Sequence, residues 1–234
     1  MCRLFGIKNY DLNKHHKLLE NFCELARTGN VMAGDPPGHQ DGWGLGYYRD
    51  GKAVLHKSGG SLTEEKDVFF SALAQAQSSP LVIAHLRKSA WAQTSTAEHA
   101  HPFLYNNALF AHNGTVRDYK SLLPAIHLPG IDLSRALDTE VFFLYALSFV
   151  NPETNLESAF GKAVENIRRH NTYSALNCLL TDGKKLIACR DYSAHPGYYT
   201  LYHASDGGSE IISSEPVSPQ LQWRLLEKGE LRSF

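Results

Sequence analysis

Strand-like apolar runs fall in two groups along this chain, and two long helical stretches separate them. The first group holds 3–9, 43–48, 53–57, 81–87 and 108–112. The second holds 173–181, 185–190, 198–204 and 209–214, with 222–232 a weaker candidate. Helical spacing covers 134–150, with Ser134 placed to cap it, and 155–170. It also covers 12–28, stopping near Gly29, then 64–77 and a short stretch near 117–123. Asp50-Gly51 marks a type I′ hairpin turn, Asp182-Gly183 a second turn, and Asn113-Gly114 a turn at the end of a strand. Residues 30–42 and 88–102 read as loops. This order predicts an α+β chain of stacked sheets covered by helix layers. With no internal repeat and no linker, residues 1–234 read as one domain.

Composition narrows the partners. The formal net charge is -1, which argues against nucleic acid or an acidic membrane surface. The first residues lack the apolar run of a signal peptide, and 141–150 is too short to span a bilayer. A cytoplasmic location and free thiols are the expectation for Cys2, Cys23, Cys178 and Cys189. The last three sit in apolar patterns and read as core.

Cys2 is different because of its position. Removal of Met1 leaves a thiol and a free α-amine on one residue. Their ordinary pKa values, about 8.5 and about 7.7–8.0, let the amine take the thiol proton near neutral pH. A cysteine so activated is a nucleophile for acyl transfer. As an isolated Met-Cys, the plainer reading is a small residue starting a strand.

Residues downstream supply what such chemistry needs. His112-Asn113-Gly114 offers an amide side chain and a glycine backbone N–H that can converge on one oxyanion. Arg87 ends an apolar strand and can grip a carboxylate in a fork, although an edge ion pair is the simpler reading. Asp138 near the start of an apolar helix can hold an α-ammonium, although a first-turn acid needs no such role. Together, Arg87 and Asp138 would recognise the amino-acid head of glutamine.

In order along the chain, Met-Cys-Arg-Leu-Phe-Gly at 1–6, Asp-Gly-Trp-Gly-Leu-Gly at 41–46 and His-Leu-Arg at 85–87 are followed by His-Pro-Phe at 101–103. His-Asn-Gly-Thr at 112–115, Asp-Thr-Glu at 138–140, Thr-Asp-Gly at 181–183 and Ser-Glu-Pro at 214–216 complete the set. Each motif is weak alone, but the ordered set resembles the class II glutamine amidotransferases of the N-terminal-nucleophile hydrolase superfamily. More narrowly, it resembles the standalone YafJ-like subgroup that includes the γ-glutamyl hydrolase of ergothioneine synthesis. The chain departs from the subgroup pattern at Gln40, His99 and Leu137. The resemblance implies a four-layer αββα sandwich of two stacked, mainly antiparallel sheets, with Cys2 at the start of a central strand. It implies Cys2 as nucleophile, Asn113 and Gly114 as oxyanion hole, and Arg87 and Asp138 as head-group ligands. His85, His112 and Trp43 are further candidates for the substrate site. The substrate would be glutamine or another γ-glutamyl compound, hydrolysed through a γ-glutamyl thioester without metal or organic cofactor. Ammonia could pass to a separate synthase.

Three rival readings exist. His85, His99, His101 and His112 could gather as a zinc site. The chain could be a non-catalytic regulatory subunit, but one of those would be expected to lose Cys2, Asn113 or Asp138. The alternating glycines at 42, 44 and 46 hint at a phosphate loop, but they run into a strand rather than a helix. They read instead as room beside the nucleophile, with Trp43 as a pocket wall or a core residue.

Overall fold

The computed structural model describes residues 2–77, 79–91 and 93–234. In chain order the strands are β1 (Arg3–Lys8), β2 (Trp43–Arg49), β3 (Lys52–Ser58), β4 (Leu81–Leu86), β5 (Phe103–Tyr105) and β6 (Ala108–Val116), then β7 (Tyr173–Thr181), β8 (Leu186–Arg190), β9 (Tyr202–Asp206), β10 (Ser209–Ser213), β11 (Arg224–Leu225) and β12 (Glu230–Ser233). The helices are α1 (Leu12–Thr28), α2 (Lys66–Ala74), α3 (Asp138–Leu147) and α4 (Leu156–His170), with a 3-10 turn at Tyr119–Ala125.

Two sheets form. One has the order β11-β9-β10-β1-β4-β2-β3 and the other β12-β8-β7-β6-β5. All the paired strands run antiparallel. Alternation along each strand decides what lies between the sheets. Leu4, Ile83, Leu109, Ala111, Leu179 and Leu186 point inward and pack the two sheets together. Phe5, Ile7, Leu45, Tyr47 and Val82 point outward and meet Leu19 and Phe22 of α1 and Phe69 and Leu73 of α2. On the other side Phe110, Leu176 and Leu180 meet Phe142 and Phe143 of α3 and Phe160 and Ile167 of α4. The result is a four-layer αββα sandwich. Each fully buried Leu, Ile or Phe in these layers contributes about 1.5–3 kcal/mol.

Local chemistry sets the helices. Asp11 caps α1 by accepting from the Lys14 N–H, and the buried face runs His15, Leu18, Leu19, Phe22, Cys23, Ala26. Asn155 caps α4 in the same way through the Ser158 N–H. From Val141 to Leu147 α3 is buried at every position, because the sheet, α4 and the 3-10 turn all pack against it. Among the described residues no helix is long and apolar enough to cross a membrane.

Several sequence expectations change. Ser134 does not cap α3: its N–H binds Asp132 Oδ1 at 2.9 Å in a turn, and the helix begins four residues later at Asp138. Asn113-Gly114 is not a turn but the middle of β6, with a bulge in its pairing to β7 between Gly114 and Val116. The strand expected at 198–204 is β9, shifted to Tyr202–Asp206, and 222–232 splits into β11 and β12. The hairpin at Asp50-Gly51 holds, with both residues at positive φ, 53° and 75°. Gly44 and Gly46 make room for the second sheet rather than for the nucleophile. A Cβ on Gly44 would lie 1.9 Å from the His101 carbonyl oxygen, and one on Gly46 would lie 2.8 Å from Pro102 Cγ.

Candidate active site

β1 is the central strand of the larger sheet, and Cys2 immediately precedes it. β4 pairs with β1, placing Arg3 opposite Leu86, so the chain that continues into Arg87 and Lys88 runs beside Cys2. The thiol lies 3.5 Å from both the Lys88 N–H and the Lys88 carbonyl oxygen. Cys2 is 9% exposed and makes no disulfide.

Behind Cys2 the backbone is fixed by Arg3. This side chain is fully buried. It donates Nη1 to the Cys2 carbonyl at 2.8 Å, Nη2 to the Asn30 carbonyl, and Nε to Glu215. Glu215 also accepts the Asn30 N–H at 2.8 Å, closing the network. Sequence reading did not single out this anchor, although the matched segments at 1–6 and 214–216 contain both ends of it.

In front of Cys2, one cleft is lined by Cys2, Arg87, Gly114 and Asp138, together with the segment 88–91, His99, His101 and Thr139. Arg87 is 4% exposed, yet among the described residues its guanidinium has only Thr94 Oγ1 at 2.9 Å and the Asp41 carbonyl at 3.4 Å as hydrogen-bond partners. Burial lowers its pKa, and the neighbouring carboxylates of Asp41 and Asp138 act against that. Asp138, 3% exposed, accepts the Val116 N–H and the Trp91 indole N–H, each at 3.0 Å. Trp91 was missed by sequence reasoning. Its signal was a lone indole in an otherwise polar loop.

Asn113 sits one residue before Gly114 and is fully buried, with neither its Nδ2 nor its Oδ1 hydrogen-bonded among the described residues. Such a group costs about 1–3 kcal/mol unless a ligand satisfies it. Gly114 cannot be larger: a Cβ there would lie 1.9 Å from the Ala175 carbonyl oxygen. The cleft holds about 30 Å³ of free space, room for one or two waters.

The remaining candidates lie outside the cleft wall. His112 faces α3, where Nε2–H donates to the Ala175 carbonyl at 3.0 Å, so Nδ1 accepts from Thr139 Oγ1 at 3.0 Å. Both nitrogens are thus committed to the fold. His85 lies between the sheets with its ring 4.2 Å from that of His101. Burial holds both histidines well below the ordinary imidazole range, and they are neutral. Trp43 points to the outer face, packs on Phe69 and donates to Glu65 at 2.7 Å. These positions follow from strand alternation, which puts Trp43 and His112 on the faces away from the inter-sheet space. Among the described residues no three His, Cys, Asp or Glu side chains are grouped to hold a metal ion, so the four histidines do not form the zinc site considered above.

The sequence profile described as Glutamine amidotransferases class-II matches residues 1–204. The Escherichia coli protein YafJ, a candidate glutamine amidotransferase, is 27% identical over the whole chain and 97% of its own length. An uncharacterized protein of Methanocaldococcus jannaschii is 28% identical over 84% of this chain, and the match spans 61% of that protein's length. The fold superposes on the glutamine phosphoribosylpyrophosphate amidotransferase of B. subtilis with a TM-score of 0.67 at 19% identity. That superposition takes in 100% of this chain and 49% of the larger enzyme.

Proposed function

The chain belongs to the class-II glutamine amidotransferases, and on that premise we propose that Cys2 hydrolyses the γ-amide of glutamine or of another γ-glutamyl compound. One observation carries this reading: Cys2, Arg87, Gly114 and Asp138, far apart in sequence, line one cleft.

In the proposed reaction Arg87 takes the α-carboxylate and Asp138 the α-ammonium of the γ-glutamyl head. Arg87 suits this role because it is buried and, among the described residues, has no carboxylate partner of its own. Head-group binding places the γ-carbonyl beside Cys2, turning a bimolecular attack into an intramolecular one. The α-amine of Cys2, freed by loss of Met1, takes the thiol proton. Met1 lies outside the described residues. Sulfur adds to the carbonyl carbon, and the developing oxyanion is met by Asn113 Nδ2–H and the Gly114 N–H. The C–N bond then breaks, the amine leaves with the proton, and water cleaves the thioester to glutamate. From glutamine the amine is ammonia, released to water or to a separate synthase.

The test is glutamate release by protein beginning at Cys2, from glutamine and from γ-glutamyl peptides, against Cys2→Ala. The expected result is loss of release in the variant on every substrate. Equal rates in the two proteins would refute the reading.

A further inference from the structure

A second depression adjoins the cleft and is not used by the chemistry above. It is a groove of about 480 Å³ that shares Ala90, Trp91 and Thr115 with the cleft wall. Its other walls include Met32, Arg117 and Tyr199. Tyr199 and Met32 belong to a small apolar cluster separate from the three main cores. The groove opens into the cleft through the shared residues, with Thr115 next to Gly114.

Ammonia needs no groove of this size. The acyl half of the substrate runs from Cys2 towards Arg87 and Asp138, so the other substituent on the attacked carbon must lie elsewhere. Arg117 is exposed, and among the described residues its side chain makes no hydrogen bond or ion pair. A cation beside an aromatic and thioether surface suits a ligand that is apolar in body and anionic at one end.

We propose that this groove is the leaving-group subsite, and that the preferred substrate is a γ-glutamyl amide of an apolar amino acid or peptide whose free carboxylate pairs with Arg117. The inference rests on the hydrolase reading above. The balance is simple. The Cys2 Sγ–C bond forms, the C–N bond breaks, and the amino acid leaves from the groove with the thiol proton. Water then restores the thiol and yields glutamate.

The test uses protein beginning at Cys2 and three substrates: glutamine, γ-glutamyl-phenylalanine, and the same dipeptide with its carboxylate capped as the amide. The free-acid dipeptide is expected to exceed the capped one in kcat/KM by roughly tenfold, the worth of one partly exposed charge-assisted contact. Arg117→Gln should bring that ratio to about one and leave glutamine turnover as it was. Arg117→Lys should keep part of the ratio, because the charge remains. Equal rates on the free and capped dipeptides in the unmodified protein would overturn the proposal. So would an Arg117→Gln variant that slows all three substrates alike. Activity on none of the three, glutamine included, would instead remove the Cys2 reading and this subsite with it.

Discussion

Two polar regions flank Cys2, and their hydrogen bonding is opposite in character. Behind it, Arg3 is fully buried and each of its three nitrogens donates to a protein oxygen. In front of it, Arg87 is almost as buried but among the described residues has two neutral partners, one of them at 3.4 Å. Asn113, next to the cleft residue Gly114 but not itself lining the cleft, has no side-chain partner among the described residues. Burial of polar groups is costly in both places. Behind Cys2 the fold itself offsets the cost. In front, among the described residues, it does not, and on the proposed reading a charged, hydrogen-bonding substrate head would offset it. Filled capacity marks an anchor, and unfilled capacity marks a binding surface.

The contrast can be broken in order of effect. Asn113→Ala should lower kcat by about 10²–10³-fold, or roughly 2.7–4 kcal/mol of transition-state stabilisation. Its melting temperature should hold or rise, because an unpaired buried amide is removed. Steady-state kinetics with a thermal scan checks both; a large loss of stability would place Asn113 among the anchors.

Arg3→Met should do the reverse. Breaking a buried ion pair costs about 3–5 kcal/mol, and Glu215 keeps enough solvent contact to favour the low end. For a chain of this size that is a fall in melting temperature of about 6–12 °C. At a temperature where the variant remains folded, head-group KM should change little. A variant as stable as the parent would contradict the anchor role.

Arg87→Lys keeps the charge and loses the fork. A loss of about 2 kcal/mol, or roughly thirtyfold in kcat/KM, is expected with only a small change in melting temperature. An unchanged kcat/KM would move Arg87 out of the head-group site.

The smallest effect concerns the buried histidines. Burial depresses the pKa of His85 and His101 in the folded chain. Below the ordinary imidazole value of about 6.5, the unfolded chain takes up protons that the folded chain refuses, so stability rises with pH through this window. The melting temperature should drift down as pH falls from about 7 to about 6, and more slowly in a His85→Phe variant.

Much of this was legible in the sequence because period-two alternation and helix spacing are local. They locate β1, the Asp50-Gly51 hairpin, α1 and α4 within a residue or two. Asn113-Gly114 misled because the dipeptide suits a turn, yet pairing with β7 from Leu109 to Val116 overrides that preference. Ser134 misled because it lies in the turn set by Asp132, three residues before Leu137, the actual N-cap position of the helix. The candidates that met in the cleft, Cys2, Arg87, Gly114 and Asp138, sit next to strands or helix ends that converge. Trp43 and His112 do not line it, because a side chain's face depends on register and sheet stacking. Whether Arg3 or Arg87 would be satisfied was not readable either, since their partners lie at positions such as Glu215 and Thr94 that only the fold brings near.

The most direct measurement is to trap the bond itself. Protein beginning at Cys2 is treated with an electrophilic diazoketone analogue of glutamine and mapped by mass spectrometry. One adduct per chain is expected, on Cys2, suppressed by excess glutamine and strongly slowed in Arg87→Lys. Hydrolytic activity persisting in fully treated protein, or labelling of Cys23, Cys178 or Cys189 while Cys2 stays free, would contradict it.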